Sequence, residues 1–252
     1  MTRERNHPRF AVITGSSNGI GRQIALTLAR SGVDVLIHGG HDFDAIQNTV
    51  NDAKLCGAKA TGVCIDLSEK AGQKKFFDAA TQQGFVPDIW INNAGADILT
   101  GANADENFEK KLELLWNVDV LATIRLSKWI GQMMVRNQSG VIINMSWDQV
   151  ETGMEGDAGE LFGTTKGAVT AFTRSLAKTL APTVRVNGIA PGWIKTKWGE
   201  SAPDRWKKRA IGESLLGRWG SADEIAMAAE FLVSEKAEFI TGQIIAVNGG
   251  RR

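Results

Sequence analysis

The sequence predicts an α/β protein, a doubly wound sandwich of about seven parallel strands with helices on both faces. Three observations carry this expectation. Short β-branched runs alternate with helical stretches about seven times along 252 residues. The strands show little polar alternation, as expected for a sheet covered on both sides. The first strand runs into a glycine-punctuated turn that opens a helix.

In chain order, "RFAVITG" from Arg9 is the first strand, and "GRQIALTLARSG" is the helix after its glycine turn. "VDVLIHG" is the second strand, and a helical stretch from Asp42 to Cys56 leads to the third, "AKATGVCIDL". A helix over roughly Ser68 to Gln83 precedes "PDIWINNAG", a strand running into a turn. Glu106 to Asn137 is long and helical in pattern. "GVIINMS" is the fifth strand, ending at Ser146. A loop from Trp147 to Leu161 precedes the helix "FGTTKGAVTAFTRSLAKTLA". "TVRVNGIA" is the sixth strand, and an irregular stretch rich in tryptophan runs from Pro191 to Gly220. The helix "ADEIAMAAEFLVS" and the strand "QIIAVNGG" close the chain. With no internal repeat or linker, residues 1–252 read as one domain. The 191–220 stretch reads as a substrate loop or lid, since long loops on such scaffolds carry function.

Apolar residues make up 43% and charged residues 23%, which is ordinary for a soluble globular protein. The formal net charge of +1 demands neither nucleic acid nor an acidic membrane. Lys207-Lys208-Arg209 is the densest basic run and reads as a solvated helix face. Cys56 and Cys64 offer no disulfide framework and no metal-ligand spacing, so a reducing, cytoplasmic setting and no metal are expected. "MTRERNHPRF" lacks the apolar run of a signal peptide, and no run is long enough for a membrane span.

The turn "VITGSSNGIG" places Gly15 at the tight bend, Gly19 where a backbone can approach a pyrophosphate, and Gly21 where helix and sheet pack closely. The helix N-terminus beyond it offers N–H groups to an anion. The second strand ends "HGGHD", with glycines where an acid would bind a ribose diol. His38 and His41 could tolerate or contact a 2′-phosphate, so NADP(H) is favoured over NAD(H). Asp42 could instead be a helix cap. Asp66 could accept from an adenine amine or cap the "DLSEK" turn. Asn92, Asn93 and Gly95 of "NNAG" would lie beside a cofactor or simply form a turn.

Taken together, these residues resemble the short-chain dehydrogenase/reductase family, with its Rossmann-type fold. "TGSSNGIG" is similar to its cofactor loop and "NNAG" to its sheet motif. Asn117 matches the asparagine of the central helix, Ser146 the serine after the fifth strand, and Lys166 the lysine of Tyr-x-x-x-Lys. "PGWIKT" from Pro191 and "FITGQIIAVNGG" from Phe239 are also similar. The resemblance implies hydride transfer between nicotinamide and a carbonyl or alcohol carbon. It implies cofactor contacts from Gly15, Ser17, Asn18, Gly19, Ile20, Gly21, His41, Asp66, Asn93, Ala94, Gly95 and Lys166, and from Pro191, Gly192, Ile194 and Thr196. It assigns Ser146 to the substrate oxygen, Lys166 to the nicotinamide ribose and Asn117 to a proton-relay water.

The tyrosine position of that motif falls on Phe162, and the chain contains no tyrosine at all. A phenyl ring has no proton to give. Lys166 is one substitute. The loop acids Asp148 and Glu160 are others, with a carboxyl raised by burial; Asp148 is favoured over Glu160, which could instead complement a helix dipole. Three functions stay open: an oxidoreductase with an altered proton relay, a catalytically silent nucleotide-binding sensor or scaffold, and a lyase or epimerase using loop acids. Trp147, Trp193, Trp198, Trp206 and Trp219 could line a substrate pocket for a ring, an acyl chain or a sugar face, or simply pack the lid. Lys195, Lys197, Glu200 and Asp204 interrupt that surface. A homo-oligomer, tetramer or dimer, is expected from the resemblance.

Overall fold

Alternate residues of a strand face opposite sides of its sheet, and here both sides are covered. The computed structural model describes residues 9–196, 199 and 202–251. Its seven strands are β1 (Phe10–Ile13), β2 (Asp34–Gly39), β3 (Ala60–Cys64), β4 (Ile89–Asn92), β5 (Val141–Met145), β6 (Arg185–Pro191) and β7 (Ile244–Val247). They form one parallel sheet in the order β3-β2-β1-β4-β5-β6-β7. The helices are α1 (Gly19–Arg30), α2 (Phe43–Leu55), α3 (Lys70–Ala80), α4 (Phe108–Leu115), α5 (Ala122–Arg136), α6 (Asp157–Leu180), α7 (Asp204–Glu213) and α8 (Ala222–Val233).

The strand periodicity sorts the core into two layers. Ala11, Ile13, Ile89, Ile91 and Ile143 join Ile24 and Leu28 of α1, Ile46 and Val50 of α2, and Ile225 and Ala229 of α8. Their strand neighbours Val12, Trp90 and Ile142 point the other way, to Phe76 of α3, Leu126 and Ile130 of α5, and Leu176 of α6. Burial on both faces is why the strands carry no polar alternation. The chain order reverses between β1 and β4, and the crevice beyond those strand ends is where such sheets bind ligands.

One buried polar network crosses this core. The Asn92 amide donates to Ser127 Oγ and to Asn144 Oδ1, both at 2.8 Å, and its oxygen accepts from Trp90 Nε1 at 2.9 Å. Asn144 Nδ2 donates to Thr173 Oγ1 at 2.9 Å. Asn92 therefore ties β4, β5, α5 and α6 together beneath the crevice. Its side chain is committed to this network rather than to a turn.

Three stretches differ from the sequence expectation. α6 begins at Asp157, not Phe162, because Gly156 takes a φ of 85° before it and Asp157 and Glu160 supply first-turn carboxylates that suit a helix N-terminus. Phe162 thus sits in the second turn of that helix. The 191–220 stretch contains α7. The long central helix is interrupted by one turn of π-helix at Trp116–Leu121.

The network yields a prediction. Asn144→Ala leaves the Asn92 amide and Thr173 hydroxyl short of partners, and urea denaturation is expected to show a loss of about 1–3 kcal/mol per unsatisfied group. An unchanged midpoint would show that the network contributes nothing.

Candidate active site

The turn after β1 is shaped by glycine. Gly15 has φ +63°, and a Cβ there would lie 2.8 Å from the Ala94 Cα. A Cβ on Gly21 would meet the Gly15 carbonyl at 2.2 Å, while Gly19, with φ +55°, faces open space up to Thr196. Asn18 caps α1 in an extended conformation with no side-chain hydrogen bond, so the first N–H groups remain available to an anion. Ser17 and Ile20 flank this opening. These features suit a pyrophosphate.

Other residues brace the turn. The Asn93 amide donates to the carbonyls of Thr14 and Gly15 at 3.1 and 2.9 Å. The backbone N–H groups of Asn93 and Ala94 donate to Thr14 Oγ1. Asn93, read from the sequence as a cofactor contact, has its amide committed to the loop. His38 is 2% exposed and does not reach outward to a phosphate. Its Nδ1 accepts from the Gly15 N–H at 3.0 Å and its Nε2 donates to the Ile65 carbonyl at 2.8 Å. That pairing requires the neutral ring, and burial lowers the His38 pKa from 6.5 to about 4. His41 is exposed. Asp42 caps α2 by accepting from the Ala45 N–H at 2.9 Å. Asp66 accepts from the Ser68 N–H and hydroxyl at 2.8 and 2.7 Å, holding the turn before α3.

At the ends of β5 and β6, Ser146 and Lys166 line one cavity of about 540 Å³. Ser146 Oγ pairs with Thr170 Oγ1, one turn beyond Lys166 on α6. Lys166 Nζ lies 2.9 Å from Asp119 Oδ2 and donates to the Met145 carbonyl at 3.3 Å. The other Asp119 oxygen accepts from the Ala96 N–H at 2.9 Å, just past Gly95. The carboxylate is 1% exposed and its lysine partner 13%. Asp119 and Thr170 were not singled out from the sequence. The available signal for Asp119 was an acid among apolar residues in "WNVDVLA". Asn117, on the same π-turn, does not join Ser146 and Lys166 in the cavity lining. Its carbonyl accepts from the Ala122 N–H and from Gln73 Nε2, and it lines a separate polar hollow with Glu106, Lys110 and Glu113.

The Phe162 ring lines the cavity, half-buried, with its centroid 6.2 Å from the Trp147 ring in an edge-on arrangement. Neither loop acid lines the cavity. Glu160 is exposed in the first turn of α6. Asp148 turns away, toward the C-terminal segment, and accepts from Asn248 Nδ2 at 3.2 Å and Arg251 Nη1 at 3.3 Å. Burial raises its pKa against those two partners. Its backbone N–H donates to the Pro191 carbonyl at 3.3 Å, and the Gly192 N–H donates to Val247.

The 191–220 stretch closes over the cavity through Trp193, Pro203, Arg205 and Trp206. Trp193 stacks obliquely on Trp206 and Trp219 at 5.6 and 5.8 Å, and Ile194 bridges to Gly220. Trp198, Lys197 and Glu200 lie outside the described residues.

Comparison with known proteins fits this arrangement. A family model described as enoyl-(acyl carrier protein) reductase matches residues 15–252. The chain belongs to the short-chain dehydrogenase/reductase family. A 3-oxoacyl-[acyl-carrier-protein] reductase of Aquifex aeolicus is 35% identical over 250 residues, 96% of each chain. An uncharacterized oxidoreductase of Bacillus subtilis is 34% identical over 244 residues, 96% of this chain and 98% of that one. Among solved family structures, a 7α-hydroxysteroid dehydrogenase complexed with NADH and 7-oxo glycochenodeoxycholic acid superposes with a TM-score of 0.87 at 28% identity, covering 98% of this chain and 95% of that one. The L-sorbose reductase of Gluconobacter frateurii, complexed with NADPH and L-sorbose, gives 0.86 at 25% identity, with 97% of each chain covered.

The His38 contacts carry a pH signature. Its pKa is lowered in the fold, so its contribution is complete above pH 6.5 and falls as the pH drops toward about 4. Between pH 7 and pH 5 the native protein is expected to lose about 2 kcal/mol through this residue. Urea denaturation at both pH values should show a correspondingly smaller loss for His38→Gln. Equal losses in the two proteins would remove His38 as the cause.

Proposed function

We propose that this chain is an NAD(P)(H)-dependent oxidoreductase acting on a carbonyl or alcohol carbon, with Lys166 holding the proton that a tyrosine holds in the family motif. One observation carries this reading: Ser146 and Lys166 line one cavity where, among the described residues, no carboxylate, histidine or tyrosine joins them. Arg205 is the other charged lining residue, and a guanidinium does not give up its proton in proteins. Phe162, four residues before Lys166, takes the tyrosine position and presents an apolar ring there.

The glycine turn and the α1 N-terminus fit a dinucleotide phosphate, with Gly15, Gly19 and Gly21 leaving room that a Cβ would fill or strain. The nicotinamide, when bound, supplies or accepts the hydride. Ser146 Oγ donates to the substrate oxygen, and Thr170 orients that hydroxyl. The Lys166 ammonium gives a proton to the developing alkoxide, directly or through a water. Asp119 keeps the ammonium in place. NADP(H) is the preferred form on this reading, because the carboxylate nearest the end of β2, Asp42, is spent on capping α2. Residues 191–220 serve as the substrate lid, within one domain spanning the chain.

Purified protein titrated with NADPH and NADH should quench tryptophan fluorescence with both, more tightly with NADPH. Binding of neither would sink the proposal. A ketone panel then tests the proton. Lys166→Met combined with Asp119→Asn leaves no buried charge alone and should lower kcat by about 10²-fold or more at saturating dinucleotide. Phe162→Tyr should raise kcat by a similar factor. If only the tyrosine variant turns over, the native site binds nucleotide without catalysis.

A further inference from the structure

The cavity changes chemistry with depth. Ser146 and Lys166 are largely withdrawn from solvent, and the charge of Lys166 is matched by Asp119. Four rings line the cavity, the Trp147–Phe162 pair from the start of the β5–α6 connection and α6 and the Trp193–Trp206 pair from the 191–220 stretch, beside apolar Leu99, Met154, Ala158 and Pro203. Exposed Arg205 on α7 adds a second charge to the lining, its guanidinium carbon 5.7 Å from the centre of the Trp206 ring.

Arg205 differs from the other arginines around it. Arg209, one turn later on α7, is bound by Glu155 and Glu213. Arg218 is bound by Glu224, and Arg251 by Asp148 and Glu213. Among the described residues no carboxylate pairs with Arg205. Its recorded contact is the face of Trp206. Among the described residues the cavity lining therefore holds one positive charge without a carboxylate partner, set beside aromatic walls.

That arrangement selects a ligand. Stacking on an indole restrains a guanidinium and leaves its N–H fork open to a carboxylate. Flat apolar rings fit between indole and phenyl walls. A polyol does not, because the walls offer its hydroxyls few partners and each unpaired one is costly. We infer that the substrate is a ring ketone carrying an anionic group, a carboxylate held by Arg205 at the mouth while the carbonyl reaches Ser146. The carbonyl half rests on the oxidoreductase reading; the anion half needs no turnover.

The test is calorimetric titration of 6-acetyl-2-naphthoate and its methyl ester into native protein and Arg205→Gln, with and without NADPH. Arg205 is exposed, so circular dichroism should show the variant folded. In native protein the acid should bind about ten-fold more tightly than the ester. High KCl should shrink that preference, and Arg205→Gln should abolish it. Equal affinities in native protein, a preference that survives Arg205→Gln, or binding of neither compound would overturn the inference. Dinucleotide titration of the same samples separates the two claims. Loss of nucleotide binding with the acid preference intact defeats the oxidoreductase reading alone. Normal NADPH binding with equal acid and ester affinities defeats the anion subsite alone.

Discussion

The ion pair between Lys166 and Asp119 is the contact around which the site is arranged. Burying two charges is expensive, and their attraction compensates only when the remaining lone pairs and protons are also satisfied. Here they are: Asp119 accepts from the Ala96 N–H as well, and Lys166 donates to the Met145 carbonyl. The pair thereby joins the π-turn before α5, the loop after β4, the end of β5 and the first half of α6. A π-turn is a rare departure from helical geometry that recurs at functional sites. This one contains the carboxylate that reaches Lys166. Removing either partner alone would strand a buried charge, so the two residues act as one structural unit.

The sheet was legible in the sequence because its chemistry is redundant. Every strand that is buried on both faces repeats the same apolar message, and the glycine turn adds constraints that few other residues meet. The site was legible where it depended on spacing along one element, as with Ser146 at a strand end and Lys166 on a helix. It was not legible where direction decided the outcome. Asp148 is two residues past Ser146, yet its side chain leaves the cavity for Asn248 and Arg251, a hundred residues on in sequence. His38 carries a titratable ring in a strand of apolar neighbours, and only the fold shows that both nitrogens are occupied. Asp119 sits in the π-turn, and only the fold shows its carboxylate meeting Lys166. Gly156 starts α6 early because its positive φ cannot be distinguished, from sequence, from that of any loop glycine.

Family membership constrains the two ends of the site unequally. The glycine turn depends on backbone: close approach of Gly15 to Ala94, Gly21 to Gly15, and free N–H groups at α1. Such features tolerate little substitution, because an added Cβ collides with main chain that cannot move cheaply. The other end is set by side chains, where Phe162 lines the cavity edge-on to Trp147 and carries no hydroxyl.

The charged residues behind the lid follow a different logic from Lys166 and Asp119. Asp148 has one oxygen buried without a hydrogen-bond partner, and burial raises its pKa despite Arg251 and Asn248. Such a group adds little stability in its charged form, since desolvation offsets its ion pair. What the network does supply is connection. Arg251 reaches both Asp148 and Glu213, Glu213 accepts from Trp193 Nε1 at 2.8 Å, and Arg209 extends from Glu213 to Glu155. Trp193 is thus fixed at its nitrogen end while its ring faces the cavity. The C-terminal segment, α7 and the approach to α6 are locked to one another through these side chains. The cavity keeps its aromatic shape, with Lys166 and Ser146 set among its rings.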